Sequence, residues 1–295
     1  MALRILTLMQ IAALLCAAAC HDKPTKPKVY HGDPQQVEGL SADSHYVYFY
    51  DEGNGTGRVE GIYRAPLSVG EVESVLVRNP AEGRVIAPRI SPSGKRLAYA
   101  HLYRVMAVLD LETKLEFEIL PADVVRIDWC NEDTIVCCLY SGELLAVEVA
   151  TGATRKLWDL RVPTHVASAK GRIVFVKHLP NEGYPESSVI YTISTDGDTI
   201  GPLYTFPDEI AYRPDWNDDG TLIVVVRDYW SGDPWLATLS WPDAVLSDSL
   251  AVHAVDPAFA PDGRIVYVRL GDKSIRENDQ IWIMDADGSN KERVL

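Results

Sequence analysis

Positive charge is scarce in this chain: 28 lysines and arginines stand against 42 aspartates and glutamates over 295 residues, a formal charge of −14. Such a surplus repels phosphate backbones and anionic lipid surfaces, so no nucleic acid is expected as a partner. Long apolar runs are missing too. The longest, residues 5–19, falls short of the ~18 residues that a membrane-crossing helix needs. No Gly-x-Ser-x-Gly sequence occurs, which removes the nucleophile elbow of serine hydrolases. The five cysteines lack paired spacing, and the seven histidines, His21, His31, His45, His101, His165, His178 and His253, include no close pair. No metal site is therefore expected, and each histidine reads as a loop or packing residue. No catalytic residue and no cofactor is expected either. Helical periodicity of useful length is absent after residue 20.

What is present begins with a targeting segment. Arg4 supplies positive charge, residues 5–19 are almost wholly apolar, and Ala17, Ala18 and Ala19 precede Cys20. This resembles a bacterial lipoprotein signal. The resemblance implies cleavage after residue 19, acylation of Cys20, and a membrane anchor in a bacterial cell envelope with the body facing the periplasm. An ordinary secretory signal with an incidental cysteine is the alternative. Residues 20–36 are polar with three prolines, as a flexible tether would be, and could span on the order of 50 Å. Cys130, Cys137 and Cys138 remain for the folded part. Export permits a disulfide from Cys130 to either of the other two, but neighbours on a strand face opposite ways, so only one of them could reach it. Buried free thiols are the alternative.

Residues 256–295 carry a complete small design. An apolar Phe259 precedes a Pro261-Asp262-Gly263 turn, an alternating strand over 264–268, a polar loop, a second strand over 281–284, and a turn at Asp287-Gly288. Five further copies lie upstream. Their turns are marked by Ser44, Gly94, Asp133, Gly171, Gly220 and Gly263, at intervals of about 40 to 50 residues, the period of a four-stranded propeller blade. Four positions before each marker stands an apolar plug: Leu40, Ile90, Trp129, Ala167, Trp216 and Phe259. One blade cannot bury both of its faces, so six must pack around an axis. Residues 37–295 are therefore expected to form one all-β, six-bladed β-propeller of four-stranded antiparallel blades. A β-sandwich would not need a repeat of this period.

The repeat of apolar residue, Pro-Asp-Gly turn, alternating strand, apolar strand and Asp-x-Asp-Gly resembles the TolB-type propeller repeat, a relative of the WD repeat. It is closest over 256–291 and good over 86–114 and 213–240. The resemblance implies a binding or scaffolding propeller with an envelope protein or peptide as partner; a monomer is expected. TolB-like proteins also carry an α/β domain before the propeller, whereas only a short linker precedes it here, so the envelope role of that family is not carried over whole. The alternative is a propeller enzyme, a polysaccharide lyase, glycoside hydrolase or peptide-processing protein, with an axial active site.

Two groups of residues are candidates for binding. Seven and five positions before the turn marker, Arg126 and Asp128 in one repeat match Arg213 and Asp215 in another, and Arg89 and Asp256 fall in the same columns with exchanged sign. An innermost strand lines the axis, so these six are expected to form a mixed-charge ring, either binding a polar ligand or tying blades together. Tyr229 and Trp230, in an aromatic loop, are the second group. Asp285, Asp287 and Asn290 lack the remaining oxygens of a calcium loop and read as hairpin chemistry.

Overall fold

The computed structural model describes residues 29–30, 37–51, 60–68, 70–77, 85–101, 105–159, 165–179, 187–228, 233–271 and 278–295. These form a six-bladed β-propeller, each blade an antiparallel sheet whose strands follow one another in sequence. The innermost strands are Val37–Ala42, Val85–Ile90, Val124–Asn131, Val166–Ala169, Ile210–Trp216 and Ala254–Phe259. Each runs outward through a tight turn. In four blades the turn glycine has positive φ (Gly94 72°, Gly171 75°, Gly220 69°, Gly263 87°), the conformation for which the repeat selects glycine. The first blade differs. Its turn closes from the Asp43 amide to the Tyr46 carbonyl, whereas the second closes from Ser91 to Arg96, so Ser44 is not the structural counterpart of Gly94.

Alternation along the strands decides what holds the ring together. Side chains on one face of a blade meet the preceding blade, and those on the other face meet the next. Among the described residues the buried apolar side chains accordingly divide into six clusters, one at each blade-to-blade interface. Cys137 lies in the cluster between the second and third blades, and its neighbour Cys138 in that between the third and fourth. Cys130 packs on the same side as Cys138, yet none of the three is joined in a disulfide. The six apolar plugs are all buried.

Among the described residues no strand is exchanged between the first and sixth blades. The outermost strand of the sixth blade is its own Glu292–Arg293, with Arg293 opposite Trp282. Val29–Tyr30 instead pairs outside Val72–Val77 as a fifth strand of the first blade. First and sixth blades meet through a shared apolar cluster that takes in Leu40 and Phe49 on one side and Ile281, Val294 and Leu295 on the other. Arginine straps reinforce other junctions at the rim. Arg96 reaches Glu132 at 2.8 Å, and Arg172 donates to the Gly220 carbonyl at 3.0 Å.

Candidate functional site

The inner strands converge on the axis, and at their turn ends they enclose a funnel of about 790 Å³. The wall is made of the turns themselves: Asp43, Ser44, His45, Ser91, Ser93, Asn131, Glu132, Lys170 and Asp218. At the foot stand Arg89, Asp128 and Asp215, beside the plugs Trp129, Trp216 and Phe259. Below it the channel narrows to a cavity of about 30 Å³ lined by Arg89, Arg126, Arg213, His165 and Asp256. All six charged residues read from the repeat columns thus reach the axis, at two levels. Tyr229 and Trp230 lie outside the described residues.

A backbone irregularity aims these groups. The inner strands of the first, second, fifth and sixth blades bulge at Gly39, Ala87, Arg213 and Asp256, whose φ values are 65°, 52°, 52° and 48°. Extra residues in a strand turn the following side chains. The third blade bulges next to Arg126, and the fourth pairs without a break.

Most of these polar groups also tie one blade to the next. The Asp128 carboxylate accepts the Ser168 amide at 2.6 Å, Asp215 accepts the Phe259 amide at 2.7 Å, and Asp256 accepts the Gly39 amide at 3.1 Å. In the first blade a serine takes the role, with Ser41 Oγ accepting from the Ile90 amide at 3.1 Å. Arg89 donates to the Leu40 carbonyl behind it and stands 3.6 Å from Asp128 ahead of it, while its own carbonyl accepts Trp129 Nε1 at 2.9 Å. Arg213 is ion-paired with Asp256.

Burial governs the protonation of this set. It pushes Asp128 up to about 6, against the pull of Arg89 and of the Ser168 amide. Asp215 rises to about 7, again through burial, opposed by Arg89 and reinforced by the charge of Asp128. His165 is driven the other way, well below the ordinary histidine value, first by burial and then by Arg126 and Arg213. Cys130, on the funnel wall, is pushed up to about 12 by burial, so it is a neutral thiol and a poor nucleophile near pH 7. No three of His, Cys, Asp or Glu converge to hold a metal ion among the described residues.

His165 is the residue that sequence reasoning missed. The sequence reads it as a loop or packing residue, because it falls in the fourth repeat one place off the charged columns. Only the fold shows that it faces the arginines of the third and fifth blades.

The fold and site define a six-bladed propeller with a polar axial funnel. No family model matches the chain, and no curated protein is similar to it in sequence. Solved structures are similar in fold. TolB from Acinetobacter baumannii is 15% identical with a TM-score of 0.65, covering 80% of this chain and 59% of that one. This chain therefore spans less than two thirds of that protein's length. A putative TolB from Agrobacterium tumefaciens is 15% identical with a TM-score of 0.61, over 76% of this chain and 84% of that one. An oligogalacturonate lyase in complex with manganese is 14% identical with a TM-score of 0.58, covering 92% of this chain and 84% of that one. The fold is thus that of a TolB-like β-propeller, and the same fold serves a lyase.

Proposed function

We propose that this chain is a binding propeller of the bacterial envelope, held to a membrane through acylated Cys20, and that it takes a polar segment of a protein partner into the axial funnel. One observation carries the reading: an opening of about 790 Å³, walled by turn hydroxyls, amides and carboxylates, sits at the turn end of the ring's axis. Its acids Asp43, Asp128, Glu132, Asp215 and Asp218 outnumber its bases Arg89 and Lys170, with His45 beside them, so it favours a segment bearing lysine, arginine or an amino terminus. The TolB likeness supports a protein partner, and the N-terminal pattern supports the envelope and the anchor.

The test places a photo-crosslinking residue at Ser93, on the wall, and another at Phe117, exposed on the outermost strand of the same blade and not part of the funnel. Irradiation of native envelopes should yield a defined adduct from Ser93 and not from Phe117. Equal adducts from both, or from neither, would defeat funnel binding. Cys20→Ala should release the protein from membranes, and retention would remove the anchor.

A second reading has its own observation. Two buried carboxylates that hold protons near neutrality, at the foot of an open funnel, are suited to general acid–base chemistry on a polysaccharide or peptide. Each already spends an oxygen on a neighbouring blade's amide, which favours the binding reading. Release of reducing ends or peptide fragments by the wild type, lost in Asp215→Asn, would reverse that preference.

A further inference from the structure

We propose that the foot of the funnel is a site for one primary ammonium group, a lysine side chain or an amino terminus, which pairs with Asp215 and enters in exchange for a proton. The proposal rests on the reading of the funnel as the place where a partner segment is held, and names the group that the segment brings and the condition under which it is taken up.

An unmet acceptor is the first argument. Most acids of the funnel are already committed. Asp43 accepts the amides of His45 and Tyr46 on one oxygen and the Tyr48 hydroxyl on the other. Glu132 accepts the Ser93 amide at 2.6 Å and pairs with Arg96 at 2.8 Å. Asp128 accepts the Ser168 amide on Oδ2 and faces Arg89 with Oδ1. Asp215 accepts the Phe259 amide on Oδ2, and its Oδ1 meets no donor among the described residues. The residue lies deep in the ring, yet it keeps part of its surface accessible because the funnel opens onto it. A carboxylate oxygen that is withdrawn from bulk water, lacks a donor and lies near a second carboxylate is a place for a cation.

Geometry selects the kind of cation. A guanidinium gains most from two parallel bonds to both oxygens of one carboxylate, and here the Phe259 amide already holds one of them. An ammonium is a compact charge that one oxygen can meet. Its methylene stem is served as well, because the apolar plugs Trp129, Trp216 and Phe259 line the same foot.

Ammonium and proton then compete. With Asp128 and Asp215 both ionised, the foot carries two negative charges against the one of Arg89. A proton on Asp215 balances them, and so does an ammonium beside it, whose arrival sends that proton to water. Burial first, then the charges of Asp128 and Asp218, raise the proton affinity of Asp215, and Arg89 opposes them. The other blades add groups nearer the mouth: Asp43 and His45 from the first, Glu132 from the third and Lys170 from the fourth, whose charge also acts on Asp219. From the sixth, Asp256 is paired with Arg213 at the lower level. Acid therefore expels the ammonium and neutral pH admits it. A histidine at the mouth also gains charge in acid, so His45 has to be told apart from Asp215.

The experiment follows the Asp215 carboxyl carbon by NMR across pH in aspartate-labelled protein, the signal being assigned by its loss in Asp215→Asn. The probe is the peptide Gly-Lys-Gly blocked at both ends, with norleucine or arginine in place of lysine for comparison. The lysine peptide should move the Asp215 titration down by about one pH unit, and should bind on the order of tenfold more tightly at about pH 7.5 than at about pH 5.5. The norleucine peptide should do neither. Equal binding by the arginine peptide would overturn the preference for an ammonium. Asp215→Asn, which keeps an acceptor for the Phe259 amide, should lose the pH dependence, and His45→Gln should keep it. An Asp215 titration that the lysine peptide leaves unchanged would overturn the proposal, as would a pH dependence that survives Asp215→Asn and disappears in His45→Gln. Crosslinking at Ser93 decides the partner separately: adducts there with an unresponsive Asp215 keep the funnel as a binding site and remove the ammonium, whereas a responsive Asp215 without adducts keeps the ammonium and removes the protein partner.

Discussion

Asp128 and Asp215 hold two roles at once, and the cost of the combination is measurable. Each closes a blade junction by accepting a backbone amide, and each does so where burial disfavours its charge. A carboxyl whose folded pKa is raised contributes stability that is complete below the unfolded value, near 4, and is lost as pH rises through the folded value. The window here runs from about pH 4 to pH 7. Asparagine at 215 keeps an acceptor for the Phe259 amide and removes the charge. Urea melts of Asp215→Asn should show a stability gain over wild type that is absent at pH 4 and reaches on the order of 1 kcal/mol at pH 8. A difference that does not grow with pH would contradict the assigned burial. The sign of this effect was not legible in the sequence. The columns showed which residues share the axis, but not that one oxygen of each acid is tied to the next blade while the group as a whole is desolvated.

At the scale of the element, the turns and second strands were legible and the bulges were not. Glycine at a fixed place before an alternating run states a positive φ directly, and Gly94, Gly171, Gly220 and Gly263 each adopt one. The bulge column reads Gly39, Ala87, Arg213 and Asp256, four residue types in one conformation, because tertiary packing imposes what residue choice does not announce. Outer strands were hard to place for another reason. Glu116–Leu120 and Thr154–Asp159 expose most of their side chains, so little apolar pattern marks them. Only Gly39 meets the bulge with the residue its backbone favours, and it also has no room for a side chain. A Cβ there would stand 3.0 Å from Pro88 Cδ and 3.3 Å from Ala87 Cα, across the junction of the first two blades. At Gly263 a Cβ would meet nothing within 4 Å. Gly263→Ala should therefore cost only the backbone term, about 1 kcal/mol, and Gly39→Ala about 2 kcal/mol or more. Equal losses in denaturant titrations of the two variants would show that the close approach at Gly39 does not matter.

Across the whole molecule, a ring of six blades with six interfacial cores has no privileged seam except the one where its first and last blades meet. Among the described residues no strand crosses that seam, and its strength there is side-chain packing, the Asp256 to Gly39 hydrogen bond, and the edge supplied by residues 292–295. Val294 and Leu295 pack onto the seam's cluster, and their backbone is bonded to Ile281, from the Ile281 amide to the Leu295 carbonyl at 2.9 Å and from the Val294 amide to the Ile281 carbonyl at 2.8 Å. Two half-buried aliphatic side chains at about 1 to 2 kcal/mol each, with a few hydrogen bonds at about 1 kcal/mol, make this edge worth roughly 3 to 5 kcal/mol. Truncation after Lys291 should lower stability by that amount and should do so unevenly. Hydrogen exchange ought to accelerate first at Gly39 and Ile281, which face the seam, while amides beside the cluster between the third and fourth blades, such as those of Ile173 and Phe175, keep their protection until global unfolding. Loss of protection at the same rate on both sides of the ring would mean that the propeller unfolds as one unit and that the seam is no weaker than the other five junctions.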